Sequence, residues 1–152
     1  MESRIDPVAT PMIVGYDAEV RPRYKDLFER MRDPDPVAAD AAFDAVLFDR
    51  EGALPDLIEC LDRAKQDASL RFMCVQLLGF SGARAAVAPL ILALSDKSPT
   101  VRAEACRSLE DLRAHEAIPE LRARLEDLDV DVRLAAAEAI LGIEGKVTHD
   151  EE

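Results

Sequence analysis

Apolar residues recur at i, i+3, i+4 and i+7 in Leu54, Leu57, Ile58 and Leu61, then in Val87, Leu90, Ile91 and Leu94. This is the spacing of one buried helix face. A third copy reads Ile118, Leu121, Arg122 and Leu125, in which one apolar slot has become arginine. An earlier stretch, Tyr24, Leu27, Phe28 and Met31, has the same pattern and predicts a short amphipathic helix. Between these lie segments richer in alanine, predicting helices over about 36–49, Ala68–Phe80, Thr100–Arg113 and Val130–Leu141. The boundaries are punctuated by Asp33-Pro34-Asp35-Pro36, Glu51-Gly52, Gly79, Gly82, Pro99 and Gly142. Proline disfavours helix in the residue before it and suits the first helical turn, while glycine closes helices.

The pattern repeats. Asp96-Lys-Ser-Pro-Thr-Val-Arg102-Ala-Glu-Ala-Cys106 returns as Asp127-Leu-Asp-Val-Asp-Val-Arg133-Leu-Ala-Ala-Ala137, every aligned pair 31 residues apart. Arg71, Arg102 and Arg133 follow the same interval. A constant offset of this size means stacked helical hairpins, since one hairpin cannot cover its own apolar stripe and needs a neighbour. Small side chains at 74, 105, 106, 136 and 137, with Val75 the larger exception, let adjacent helices approach closely. On this reading the array begins on a half-repeat at 24–31 and ends on another at 130–141.

Composition agrees. Of the 152 residues 49% are hydrophobic, yet only 5% are aromatic and none is Trp, which suits helix packing rather than a sheet. The net charge of −12 repels phosphate backbones and anionic lipid, so nucleic acid and membrane surfaces are poor partners and a basic protein is compatible. Cys60, Cys74 and Cys106 are an odd set without short spacing, which encodes neither a disulfide framework nor a zinc site. With no apolar leader at the start and no run of membrane length, the expectation is a cytoplasmic protein.

Helix pairs with Val/Leu-Arg opening the first helix and a Pro-containing, Leu-rich second helix resemble HEAT repeats, in particular the short HEAT-like repeats of bacterial proteins and phycobilin lyases. The resemblance covers residues 24–142. It implies an all-α fold, a right-handed α-solenoid of stacked antiparallel helix pairs with seven to eight helices. Residues 1–22 would form an extended arm or cap, 23–143 the repeat domain and 144–152 an acidic tail. The six-residue spacing of Asp96/Arg102 and Asp127/Arg133 resembles the ladder of charges that links successive HEAT repeats. Lys65 before Arg71, and Ala38 in place of an arginine, imply a weaker ladder at the N-terminal end. The Trp/Leu-Gly/Tyr pattern of tetratricopeptide repeats and the Thr-Pro-Leu-His of ankyrin repeats do not occur.

Candidate chemistry is sparse. His115-Glu116 resembles the His-Glu pairs with which deoxyhypusine hydroxylase, another HEAT-like protein, holds two irons, but there is one such pair and the other histidine, His149, sits in the tail. Phosphate-binding glycine loops and the motifs of serine or zinc hydrolases do not occur. No catalytic residue, metal or cofactor is expected, and the function expected is a non-catalytic scaffold or adaptor for a protein or peptide. The alternatives are a HEAT-like enzyme or chromophore-handling lyase subunit, and an acidic inhibitor or immunity protein for a basic target. By the resemblance, second helices line the concave face, which makes Asp56, Glu59, Arg63, Leu92, Glu120 and Arg124 the expected contact residues. Leu134, Ile140 and Leu141 would leave an apolar stripe on the last helix, open to a partner or to self-association through the C-terminal half-repeat.

Overall fold

The computed structural model describes residues 20–145, so the expected arm over 1–19 and the tail beyond 145 lie outside the described residues. Eight α-helices occur there: α1 (Pro22–Arg30), α2 (Pro36–Phe48), α3 (Leu54–Arg63), α4 (Ala68–Phe80), α5 (Val87–Ala93), α6 (Pro99–Asp111), α7 (Ile118–Ala123) and α8 (Val130–Glu144). Single 3-10 turns precede α5 and α7, and a third follows α7. The fold is an all-α solenoid in two layers. Each odd-numbered helix folds back against the even-numbered helix after it, and α4, α6 and α8 stack along one another. Helix α2 touches α4 over much less of its length.

Local chemistry sets the starts of the even helices. Asp35, Asp67 and Asp129 cap α2, α4 and α8 by accepting backbone amides of their first turns. Ser98 precedes α6 without a side-chain cap bond, and Pro99 takes the first helical position, where no amide is needed. One residue type per layer then occupies the same place. The amides of Ala39, Arg71, Arg102 and Arg133 donate to the carbonyls of Asp35, Asp67, Ser98 and Asp129 at 3.0, 3.0, 3.0 and 3.1 Å. The three arginines are therefore equivalent on successive layers, as their spacing predicts, and the residue that replaces the arginine in α2 is Ala39 rather than Ala38.

The core is the shared side of the hairpins. Leu57, Leu78, Leu90, Leu109 and Leu121 are fully buried, with Cys74, Ala105, Cys106 and Ala136 at the close helix crossings. Gly79 shows how close: a Cβ there would lie 2.9 Å from the Cα of Ser108, whose hydroxyl donates to the Val75 carbonyl at 3.0 Å. Gly142 does not end α8, which runs on to Glu144; its missing side chain instead leaves room for the carboxylate arm of Glu110 on α6. After α6 the chain reverses through Arg113 at φ 53°, with the amides of Arg113 and Ala114 closing onto the carbonyls of Glu110 and Leu109. Gly82 holds the corresponding left-handed place after α4, at φ 71°.

The charged ladder joins the layers in a way that spacing alone misassigns. Arg71 grips Asp96, one layer ahead, with Nε and Nη2 at 2.9 and 3.0 Å, and its Nη1 donates to the carbonyls of Ala64 and Lys65. Arg102 repeats this on Asp127 with two bonds of 3.0 Å, and its Nη1 donates to the Asp96 carbonyl at 2.7 Å. The six-residue spacing thus carries a bond to a carbonyl, while the carboxylate partner stands 25 residues ahead. Each carboxylate also accepts the amide two residues on, Ser98 from Asp96 and Asp129 from Asp127, so a rung fixes the entry of the next even helix. The first junction uses other pairs: Arg32 to Asp67 at 2.6 Å, and Arg21 to Asp56.

Two predictions follow from the rungs. Arg71 is 5% exposed, so Arg71→Ala strands the Asp96 carboxylate and two carbonyls; it should cost about 3–5 kcal/mol in urea unfolding, with Arg71→Lys in between. Burial alone would raise the Asp127 pKa, but hydrogen bonds from Arg102 and the Asp129 amide, with the charges of Arg102 and Arg124, hold it below the ordinary 3.8. A lowered folded pKa means that this stabilisation is complete above about pH 4 and drains away as pH falls through the folded value. The acid limb of thermal stability should therefore be shallower in Asp127→Asn than in the wild type, although the variant starts lower at neutral pH.

Candidate functional site

An apolar depression with a volume of about 650 Å³ lies between α3 and α5. Its walls are Ile58 and Leu61, half-buried at the edge of the α3 core stripe, on one side and Ala88, Pro89 and Leu92 on the other. Glu59, Asp62, Lys65 and Lys97 form a rim of two acids and two lysines, and the Arg71–Asp96 rung closes the floor. Leu92 is 77% exposed there. An apolar centre with a polar rim is the layout of a protein contact, and a single exposed leucine in it is a natural anchor.

The residues expected on this face divide into three kinds. Leu92 and Glu59 line the groove, Glu59 being half-buried and paired with Arg63 at 2.6 Å. Glu120 is exposed on α7, away from the groove, and Arg63 borders a smaller hollow with Val20, Lys25 and Phe28. Asp56 and Arg124 are engaged in contacts within the fold. Asp56 is 3% exposed and accepts the Arg21 amide, Nε and Nη2 at 2.7, 3.0 and 2.6 Å, which ties the entry of α1 to α3. Arg124 donates to the Asp127 carboxylate at 3.1 Å and to the Leu94 carbonyl at 3.3 Å. Sequence reasoning missed Lys65, Asp62 and Lys97 on the rim; the available signal was that Ala88 and Leu92 stand one turn apart on the side of α5 away from its core stripe.

On the last helix Leu134 and Leu141 are 57% and 67% exposed, joined by Val130 at 63%. Ile140, expected with them, is instead half-buried against the core. Ala137 is also only half-covered, whereas its counterpart Cys106 is fully buried under α8.

Other reactive groups are quiet. Cys60, Cys74 and Cys106 are free and buried. A hydrogen bond with Cys60, together with burial, pushes the Cys74 thiol well up, and burial pushes Cys106 up to about 12, so neither is a thiolate nucleophile near neutral pH. His115 sits in the 3-10 turn before α7 with Nδ1 3.2 Å from the Arg113 carbonyl. Glu116 beside it pairs with Arg84 at 2.6 Å, and backbone and Arg84 hydrogen bonds lower its pKa. Among the described residues no cluster of three or more His, Cys, Asp or Glu side chains could hold a metal, and no helix is long and apolar enough to cross a membrane.

Layered hairpins, equivalent arginines and shared apolar sides are what a HEAT array requires, and the family model for HEAT repeats matches residues 54–141, α3 to the end of the α8 core. The chain is a HEAT-repeat protein. A search of curated proteins found no match. The family assignment fixes the architecture through packing residues, and HEAT repeats as a class mediate protein–protein interaction.

The division between contact and structural residues predicts opposite behaviour for two acids of this HEAT array. Asp56→Ala should lower stability by about 1–3 kcal/mol and speed proteolysis near α1, because the Arg21 amide and guanidinium lose their acceptor. Glu120→Ala should stay within about 0.5 kcal/mol of the wild type. Denaturant melts of the two variants, with limited proteolysis of the first, check both.

Proposed function

We propose that this HEAT-repeat protein is a non-catalytic interaction module that seats a partner's apolar side chain, carried on a peptide or helix, in the α3/α5 groove. The observation that carries the reading is Leu92: a large apolar residue 77% exposed at the centre of an apolar groove, on a helix whose other leucine and isoleucine positions face the core. Leaving such a side chain in water forgoes its burial, about 1.5–3 kcal/mol, which a partner can recover. The mixed rim gives the partner both signs of charge to meet, with Glu59, Asp62 and Lys65 along the α3 side, Lys65 3.8 Å from Asp62, and Lys97 after α5. The groove is thus suited to a segment with an apolar anchor flanked by both charges rather than to a uniformly basic one, even though the whole chain carries −12.

Leu92→Asp tests this. The melting temperature should stay within a degree or two, since the side chain supports little of the core. Affinity capture from native cell extract, quantified by mass spectrometry, should enrich a protein with the wild type that the variant loses at least about tenfold. Equal recovery of every captured protein by the two forms would refute the groove as the binding site.

A further inference from the structure

Among the described residues the ladder of rungs is open at both ends, and the two ends are complementary. At the C-terminal end Arg133 holds the place of Arg71 and Arg102, and its Nη1 makes their bond to the carbonyl six residues back, Asp127, at 2.7 Å. Its side chain is exposed, and among the described residues it meets no carboxylate. At the other end Asp33 holds the place of Asp96 and Asp127. Its Oδ1 accepts the amide two residues on, Asp35, at 2.8 Å, as theirs accept Ser98 and Asp129 at 2.8 and 2.9 Å. Asp33 is likewise exposed and meets no arginine among the described residues. One end therefore shows the donor half of a rung and the other end the acceptor half.

The helix faces beside these residues carry exposed apolar side chains at both ends. Leu141 on α8 occupies the register that Glu110 uses on α6 to meet Gly142 of the next layer, and Leu134 the register of Ala103. On α2, Ala45 occupies the register of Ser108 and Ala139, both buried against the preceding layer, yet Ala45 itself is exposed. The register that Gly142 uses to meet Glu110 is held on α2 by Phe48, 90% exposed, so Leu141 and Phe48 give the contact an apolar part in place of the glycine crossings found inside the molecule.

We propose that the occupant of the open C-terminal face is a second copy of this chain, stacked head to tail so that Arg133 of one copy grips Asp33 of the next and α8 lies on α2. The contact is heterologous, so it leaves a free donor end and a free acceptor end and extends beyond two copies. Mutual repulsion of two acidic chains opposes it, which places association at high protein concentration. The inference is independent of the α3/α5 groove, which stays uncovered in such a stack.

The test is sedimentation velocity of the full chain at physiological salt, from low micromolar to near-millimolar concentration, with circular dichroism to confirm that each variant is folded. The wild type should gain mass with concentration and pass the dimer. Arg133→Asp and Asp33→Arg should each weaken association at least about tenfold. The double variant Asp33→Arg/Arg133→Asp, which restores the pair with its signs exchanged, should recover it. Leu141→Glu should also keep the chain monomeric through the apolar part of the contact. A wild type monomeric over the whole range, a mass that stops at two, indifference to the single reversals, or a folded double variant that stays monomeric would each overturn the proposal.

Discussion

A buried guanidinium must find its carboxylate one layer ahead, and that requirement organises this protein. Arg71 and Arg102 stand at the start of even-numbered helices where little water reaches them, so their charge is tolerable only with a forked partner and carbonyls around it. The partner carboxylate in turn holds the amide that opens the next helix. Stacking, helix start and ion pair are thereby one event. Slippage of a layer would leave a charge, a carboxylate and a backbone amide unsatisfied together, so the rung selects the register of an otherwise forgiving alanine-lined interface.

Where the rung is missing the structure changes character. Helix α2 has Ala39 at the arginine position and Lys65 stands at the next carboxylate position, and there α2 makes its limited contact with α4. The junction is held from the side instead, by Arg32 on Asp67 and by Arg21 on Asp56, with Arg21 and Arg23 both over the Tyr24 ring at 5.0 and 4.6 Å and the Tyr24 hydroxyl donating to Asp49. These bonds are more exposed than the central rungs. In a nearest-neighbour array, weaker coupling of this kind favours opening at the N-terminal hairpin ahead of the α4, α6 and α8 stack.

The odd-numbered helices are short, and that shortness shapes the surface. Helix α5 has seven residues and α7 six, each entered through a 3-10 turn. So short a helix commits one face to the core and shows the other to solvent almost whole, with few positions between. On α5 the outer face holds Ala88 and Leu92, and opposite α3 this makes a groove with an apolar middle. On α7 the registers of Ala88 and Leu92 hold Pro119 and Ala123, with Glu120 exposed beside them, and Arg122 in the core-stripe register reaches Glu144 at 3.4 Å, so the same architecture gives a smaller and more polar surface one layer on. A single repeated scaffold thus separates an apolar contact from a solvated one through two or three side chains.

Much of this was legible in the residues. Period and offset determined the helices, their pairing, the shared core and the equivalence of Arg71, Arg102 and Arg133, because each depends on local spacing or on a repeat that the chain writes out twice. What the spacing could not determine was which partner each charge takes. The six-residue interval between Asp96 and Arg102 is visible in sequence, yet the carboxylate of Asp96 turns back to Arg71 and Arg102 reaches forward to Asp127, a choice made only when layers meet. Asp56 and Arg124 are identical in type to solvated surface charges, and only tertiary contacts with Arg21, Asp127 and the Leu94 carbonyl withdraw them from the surface. Gly142 reads as a helix end in one dimension and is a clearance for Glu110 in three. Leu92 stood out by its place beside the core stripe, but that it faces outward over the groove, 77% exposed, is decided only by how α3 and α5 pack.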